Sequence, residues 1–477
     1  MQMPGGPRPD VSCCRDSVYN PGLFFEIGRL LYTMAQRKGN PTVPNNPSRG
    51  GRYNIPLVAV TMLFFMWGFL TALNDILIPH LKGVFDLSYT RAMLIQFTFF
   101  GAYFLMSLPS GKIIAVLGYQ RGIVIGLLTA GAGAVLFYPA ASAISYPLFL
   151  TALFVLASGI TLLQVAANPY VAVLGNPATA SSRLNLTQAF NSLGTSIAPY
   201  FGGLFILSAN LAGSDAARAL SPEQLQAFRL QEAASVQLPY LGLAAALALL
   251  AGLMALLKLP VVAEVEDRAH QPPGTLAAAL KHPHLFLGAI GIFVYVGAEV
   301  SIGSLLISFF EQPDIAGLRQ ATAAGFVSYY WGGAMVGRFV GSALMQRLNP
   351  GKLLGGFALA ACGLVVMAVF AKGPLAMWAI LSVGLFNSIM FPTIFTLGIG
   401  GLGKLTSQGS SILIMAIIGG AIIPLLQGML ADTYGIQNAF LLPACCYLYI
   451  MYYGFKGSHR APAPIIPPFP GSPQHRA

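Results

Sequence analysis

Charged side chains are scarce: Asp, Glu, Lys and Arg make up 9% of the 477 residues, against about 25% in an ordinary soluble domain. So small a polar fraction excludes a soluble globular chain. Histidine is equally thin, with six residues and no cluster at metal-ligand spacing. The cysteines Cys13, Cys14, Cys362, Cys445 and Cys446 show neither metal spacing nor a disulfide framework. No metal and no cofactor is expected, and no nucleophile motif supports an enzyme. The formal net charge is +11, but the basic residues stand singly between apolar runs. That pattern argues against nucleic acid, which needs a basic surface on a polar domain. A nucleotide loop is also missing. Residues 398–404 begin like one, yet Leu405 occupies the position where Ser or Thr would hold magnesium, and an apolar run precedes it in place of a strand.

Hydrophobic residues, in contrast, make up 56% of the chain. A hydrocarbon layer about 30 Å thick takes about 20 helical residues. Twelve nearly uncharged windows meet that length, at about 55–80, 92–111, 122–140, 146–170, 184–208, 238–257, 284–310, 322–345, 353–371, 374–400, 408–431 and 436–455. The fold class that follows is an all-α membrane protein of twelve transmembrane helices, with the lipid bilayer as its first partner. With the N-terminus inside, only Lys82, Arg91, Arg218, Arg229, Arg319 and Lys372 of the 26 basic residues face outward, which places both termini in the cytoplasm.

Residues 1–52 are rich in Pro, Gly and Asn and read as a disordered extension without a signal peptide. Residues 53–258 form a first six-helix domain, 259–281 a charged cytoplasmic linker, 282–456 a second six-helix domain, and 457–477 a Pro-rich cytoplasmic tail. The two domains echo each other. Pro169 to Gly175 reads Pro-x4-Leu-Gly, and Pro392 to Gly398 repeats it. Two parallel repeats of this kind are an arrangement of secondary transporters, with the site at the repeat interface. A transporter without a nucleotide site draws on an ion gradient.

The polar residues inside the windows are the candidates for chemistry. Asp75 and Glu299 are the acids within predicted helices, and intramembrane carboxylates mark ion or substrate pathways. The alternatives are an exposed acid near the outer helix end for Asp75 and a structural acid hydrogen-bonded to a neighbouring helix for Glu299. Arg338 reads as close to a cytoplasmic end, so no cation is expected beside either acid. Each can then be protonated in one conformation and ionised in another, as proton coupling requires. Asn74, Gln164, Asn168, Asn185, Gln188 and Asn387 carry amides that both donate and accept, matching the hydroxyls of a sugar. The alternative for each amide is a helix-to-helix hydrogen bond. Phe99, Tyr329, Tyr330, Trp331 and Trp378 offer rings for a sugar's apolar face. Gly333, Gly337 and Gly341 recur every four residues, as close helix packing requires.

Asn74-Asp75, the run Leu163-Gln-Val-Ala-Ala-Asn-Pro169, the run from Arg183 to Ser192 and the run Phe391-Pro-Thr-Ile-Phe-Thr-Leu-Gly398 together resemble the fucose/glucose/galactose permease family of the major facilitator superfamily. The resemblance covers about residues 55–455. It implies two six-helix domains, alternating access, and uptake of a monosaccharide with a cation, usually a proton, across a bacterial inner membrane. It further implies that Asp75 couples the proton. Gln164 stands where a fucose permease has a glutamate, so the LQVAANP form, together with residues 296–304 around Glu299, is similar to the glucose/galactose branch. Glucose or galactose symport with protons is the leading expectation. The alternatives are another hexose such as fucose, sodium coupling or passive facilitation, and a sugar sensor that does not transport.

Overall fold

Inside hydrocarbon every backbone N–H and C=O needs a partner within the protein, and a helix supplies one for each. The computed structural model describes residues 58–71, 89–174, 176–202, 234, 236–257 and 275–459, and every regular element among them is helical. The helices are α1 (Val58–Thr71); α2 and α3, residues 89–117 and 119–142 on either side of Gly118; α4 (Tyr146–Val173); α5 (Ala180–Gly202); and α6 (Gln237–Leu256). They continue with α7 (Pro283–Glu311), α8 (Gln320–Leu344), α9 (Pro350–Phe370), α10 (Gly373–Ile399), α11 (Gly403–Tyr434) and α12 (Leu441–Tyr452). Each of the twelve expected windows therefore falls on helix, the first and fifth in part. Residues 1–57, 72–88, 175, 203–233, 235, 258–274 and 460–477 lie outside the described set, and with them the extension and most of the linker and tail.

Among the described residues, seven stretches are long and apolar enough to cross a membrane. Neither α5 nor α8 is among them. The face of α5 carries Ser181, Ser182, Asn185, Gln188 and Ser192, all buried, so its polarity points into protein. Leu105, Leu249, Phe370 and Leu425 are exposed and form part of the apolar surface that a bilayer covers.

Helices α2, α3, α4 and α6 pack on one another, as do α7 to α12. Contacts between the two sets run from α5 to α8 and α10, and from α11 to α2 and α4. One device recurs in both sets. Gly118 (φ 80°) and Gly435 (φ 84°) turn the chain in a conformation that favours glycine. Two residues on, Gln120 Nε2 donates to Met254 O at 2.9 Å and Leu257 O at 2.7 Å, and Gln437 Nε2 donates to Ala368 O at 3.1 Å and Ala371 O at 2.8 Å. Each glutamine thus caps the open carbonyls of a neighbouring helix end, α6 in one case and α9 in the other.

The repeated prolines also act alike. A proline leaves the carbonyl four residues earlier without its helical donor. Pro169 frees Val165 O, which accepts from Ser410 Oγ of α11 at 3.0 Å. Pro392 frees Ser388 O, which accepts from Arg338 Nε of α8 at 3.2 Å. There α10 breaks, into Gly373–Asn387 and Met390–Ile399. On α8, a Cβ at Gly333, Gly337 or Gly341 would press on Leu385, Ser388 or Ile389 of α10, so the three glycines let these helices approach closely.

Candidate functional site

Four of the expected amides come from α4 and α5. Gln164 and Asn168 are one turn apart on α4, and Asn185 and Gln188 one turn apart on α5, so each pair shares a helix face. All four are buried. Gln164 Nε2 donates to Tyr103 Oη of α2 at 2.7 Å, and Trp67 of α1 also lies at that hydroxyl. Gln188 Nε2 reaches Asn168 Oδ1 at 3.5 Å. Asn185 Nδ2 donates to Ser181 O at 2.8 Å and crosses to Thr393 Oγ1 of α10 at 3.3 Å.

The other wall comes from α7, α8, α10 and α12. Asn387 of α10, fully buried, donates from Nδ2 to Tyr330 Oη at 2.7 Å. The buried Tyr447 of α12 lies beside it. Tyr295 Oη donates to Glu299 Oε1 at 2.7 Å and lies 3.1 Å from Asn387 O. Glu299 itself is half-buried.

Several polar atoms remain without a partner. At the site they are Gln164 Oε1, Asn168 Nδ2, Asn185 Oδ1, Asn387 Oδ1, Ser388 Oγ and Tyr447 Oη, while Ser301 Oγ and both polar atoms of the Gln427 side chain are unpartnered elsewhere among the described residues. A buried polar atom without a hydrogen bond costs about 1–3 kcal/mol, and native proteins keep few of them. Each of these amides at the site holds its place with one polar atom and presents the other. A ligand rich in hydroxyls can donate to the three oxygens and accept from the nitrogen.

Arg338 departs from expectation. It lies in the last two turns of α8, yet its guanidinium reaches between the helix sets, donating to Gln188 O at 3.1 Å, to Ser192 Oγ and to Ser388 O. It is also close enough to Glu299 to interact with its charge. The acid therefore has a cation nearby. The long side chain carries the charge inward from a helix whose next basic residue, Arg347, lies beyond its end.

Two aromatic expectations also change. Tyr329 and Trp378 are 59% and 47% exposed and pack on each other at 5.8 Å. Tyr329 shares its helix face with the exposed Val336 and Val340, a perimeter stripe, so neither ring lines the site. Tyr330, in contrast, is buried at its centre. Asn74 and Asp75 lie outside the described residues.

Toward the ends where α5 begins and α8 and α10 finish, hydroxyls join the two helix sets. Ser182 Oγ donates to Ser342 O at 2.7 Å, Ser342 Oγ returns a bond to Ser182 O at 2.8 Å, and Ser181 Oγ lies 2.6 Å from Thr396 Oγ1.

A family model described as Major Facilitator Superfamily matches residues 58–412. The chain is 55% identical to the glucose/galactose transporter of Brucella abortus biovar 1 (strain 9-941) over 419 residues, 87% of this chain and 98% of the relative. It is 38% identical to the L-fucose-proton symporter of Escherichia coli (strain K12) over 429 residues, 88% of this chain and 96% of the relative. The crystal structure of the transporter FucP in the outward conformation is similar with a TM-score of 0.79 at 38% identity, covering 84% of this chain and 98% of that one.

Proposed function

The chain belongs to the fucose/glucose/galactose permease family of the Major Facilitator Superfamily, and from that premise we propose that it imports glucose or galactose together with a proton, by alternating access. The observation that carries this reading is the set of unpartnered amide atoms on Gln164, Asn168, Asn185 and Asn387. They are contributed by both helix sets, so a sugar bound among them touches both halves at once. Asn74 and Gln188 complete the proposed sugar site. The Brucella relative's name supports glucose and galactose as substrates, and the E. coli relative's name supports the proton.

Proton coupling is assigned to Asp75 and Glu299. Residues 53–258 and 282–456 are the halves that rock, with 259–281 as the cytoplasmic linker between them. The protein sits in a bacterial inner membrane with both termini in the cytoplasm. In that orientation the hydroxyl contacts of Ser181, Ser182, Ser342 and Thr396 close the cytoplasmic side.

The test is uptake of a panel of labelled hexoses by a transport-deficient bacterial host, with and without a proton uncoupler. Glucose or galactose accumulates in energised cells, and the uncoupler reduces accumulation to equilibration. Accumulation that ignores the uncoupler and follows sodium contradicts the proton, and uptake of neither sugar contradicts the substrate.

A further inference from the structure

A hydroxyl with two acceptors in reach gives its one proton to one of them at a time. Tyr295 is in that position. It is 1% exposed, and its Oη lies 2.7 Å from Glu299 Oε1 and 3.1 Å from Asn387 O. The first acceptor is an acid assigned above to coupling. The second is the main chain of a proposed sugar-binding residue, at the point where α10 breaks. We infer that Tyr295 is a positioning residue that passes the protonation state of Glu299 to Asn387. This rests on the reading of Glu299 as a coupling acid.

While Glu299 is a carboxylate, the Tyr295 O–H points at Oε1, because a charged acceptor holds a hydrogen bond more strongly than a neutral carbonyl. A proton taken up by the carboxylate gives Glu299 an O–H of its own, which donates to Tyr295 Oη. The Tyr295 O–H then turns about its Cζ–Oη bond and donates to Asn387 O. Tyr295 remains a neutral phenol throughout, and the only proton gained or lost is the one on Glu299. What changes at Asn387 is the strength of the bond on its carbonyl. That carbonyl precedes the Ser388 carbonyl held by Arg338, and the Asn387 side chain is tied to Tyr330, so the change reaches the sugar site through two short links.

Among the described residues, the titratable and charged groups that act on Glu299 are Tyr295 on its own helix, Arg338 and Tyr330 on α8, and Tyr447 on α12. An arginine stays charged throughout the physiological range, and phenols with ordinary values near 10 stay neutral there. Glu299 is the member of this group that changes charge.

The test is sugar counterflow in proteoliposomes across a range of pH, comparing wild type, Glu299→Gln and Tyr295→Phe. A proton linked one-to-one to the sugar changes the apparent KM by up to about tenfold per pH unit. Glu299→Gln flattens the share of that slope belonging to Glu299. Tyr295→Phe, with the carboxylate intact, flattens the slope to the same degree. A Tyr295→Phe profile that follows wild type while Glu299→Gln is flat overturns the inference and leaves the role of Glu299 standing. A Glu299→Gln profile that keeps the wild-type slope overturns both.

A second measurement needs no Tyr295 variant. Infrared difference spectra of wild type, taken as pH is stepped, show a tyrosine C–O band that moves with Glu299 and is absent in Glu299→Gln. A tyrosine region unchanged between the two proteins contradicts the inference.

Discussion

Asn387 does two jobs with one side chain: its Nδ2 holds Tyr330 and its Oδ1 faces no protein partner. A buried oxygen left unsatisfied costs about 1–3 kcal/mol, which a bound hydroxyl offsets. Asn387→Leu therefore separates affinity from stability. The variant raises the apparent KM for sugar counterflow by about 10- to 100-fold, the size of one hydrogen bond lost to a bound hydroxyl, while its melting temperature changes little, because one unpartnered oxygen leaves as Tyr330 loses its donor. An unchanged KM contradicts the site. At this scale the sequence was informative about residue types and poor about company. An amide inside an apolar window announces itself, as Gln164, Asn168, Asn185, Gln188 and Asn387 did. Tyr103 and Tyr447 gave no such signal, because an aromatic ring is ordinary in an apolar run and the hydroxyl adds little to its polarity. The place of Arg338 near the end of a window does not encode the partners of its guanidinium, Gln188 O, Ser192 Oγ and Ser388 O, which sit on other helices.

The helices themselves were legible in number and approximate extent, since a 20-residue apolar window leaves few alternatives. Their interruptions were less so. The Pro-x4-Leu-Gly repeat pointed to two corresponding helix ends, but not to the freed carbonyls that Ser410 and Arg338 now occupy. Those partners sit on other helices, far along the chain, and no local pattern encodes them. The same holds for α5 and α8, whose meeting rests on hydroxyls that look like minor polar residues in the sequence. Ser182 Oγ and Ser342 Oγ are 3.2 Å apart, close enough that cysteines at both positions can bridge without large backbone movement. Oxidised Ser182→Cys/Ser342→Cys stops uptake, and a reductant restores it, because the bridge holds closed the side that must open for release. Normal uptake with the bridge formed contradicts the assignment of this contact as a gate.

For the whole molecule, contacts between the helix sets run along α5 and α8, from Ser182 and Ser342 past Arg338 and Ser192 to Ser196 and Met335. In the proposal, the sugar meets Gln164 and Asn168 on one wall and Asn387 on the other, while the cation reaches Glu299 and Asp75. Coupling requires that neither ligand alone lets the halves exchange sides, and binding energy shared between both walls is what links them. Sugar and proton then cross together. This is tested most directly by adding glucose or galactose to a lightly buffered, de-energised suspension of cells carrying the protein and recording external pH. Wild type is expected to give immediate alkalinisation, lost in Asp75→Asn while sugar exchange persists. Sugar entry with no change in external pH, or full alkalinisation by Asp75→Asn, contradicts it.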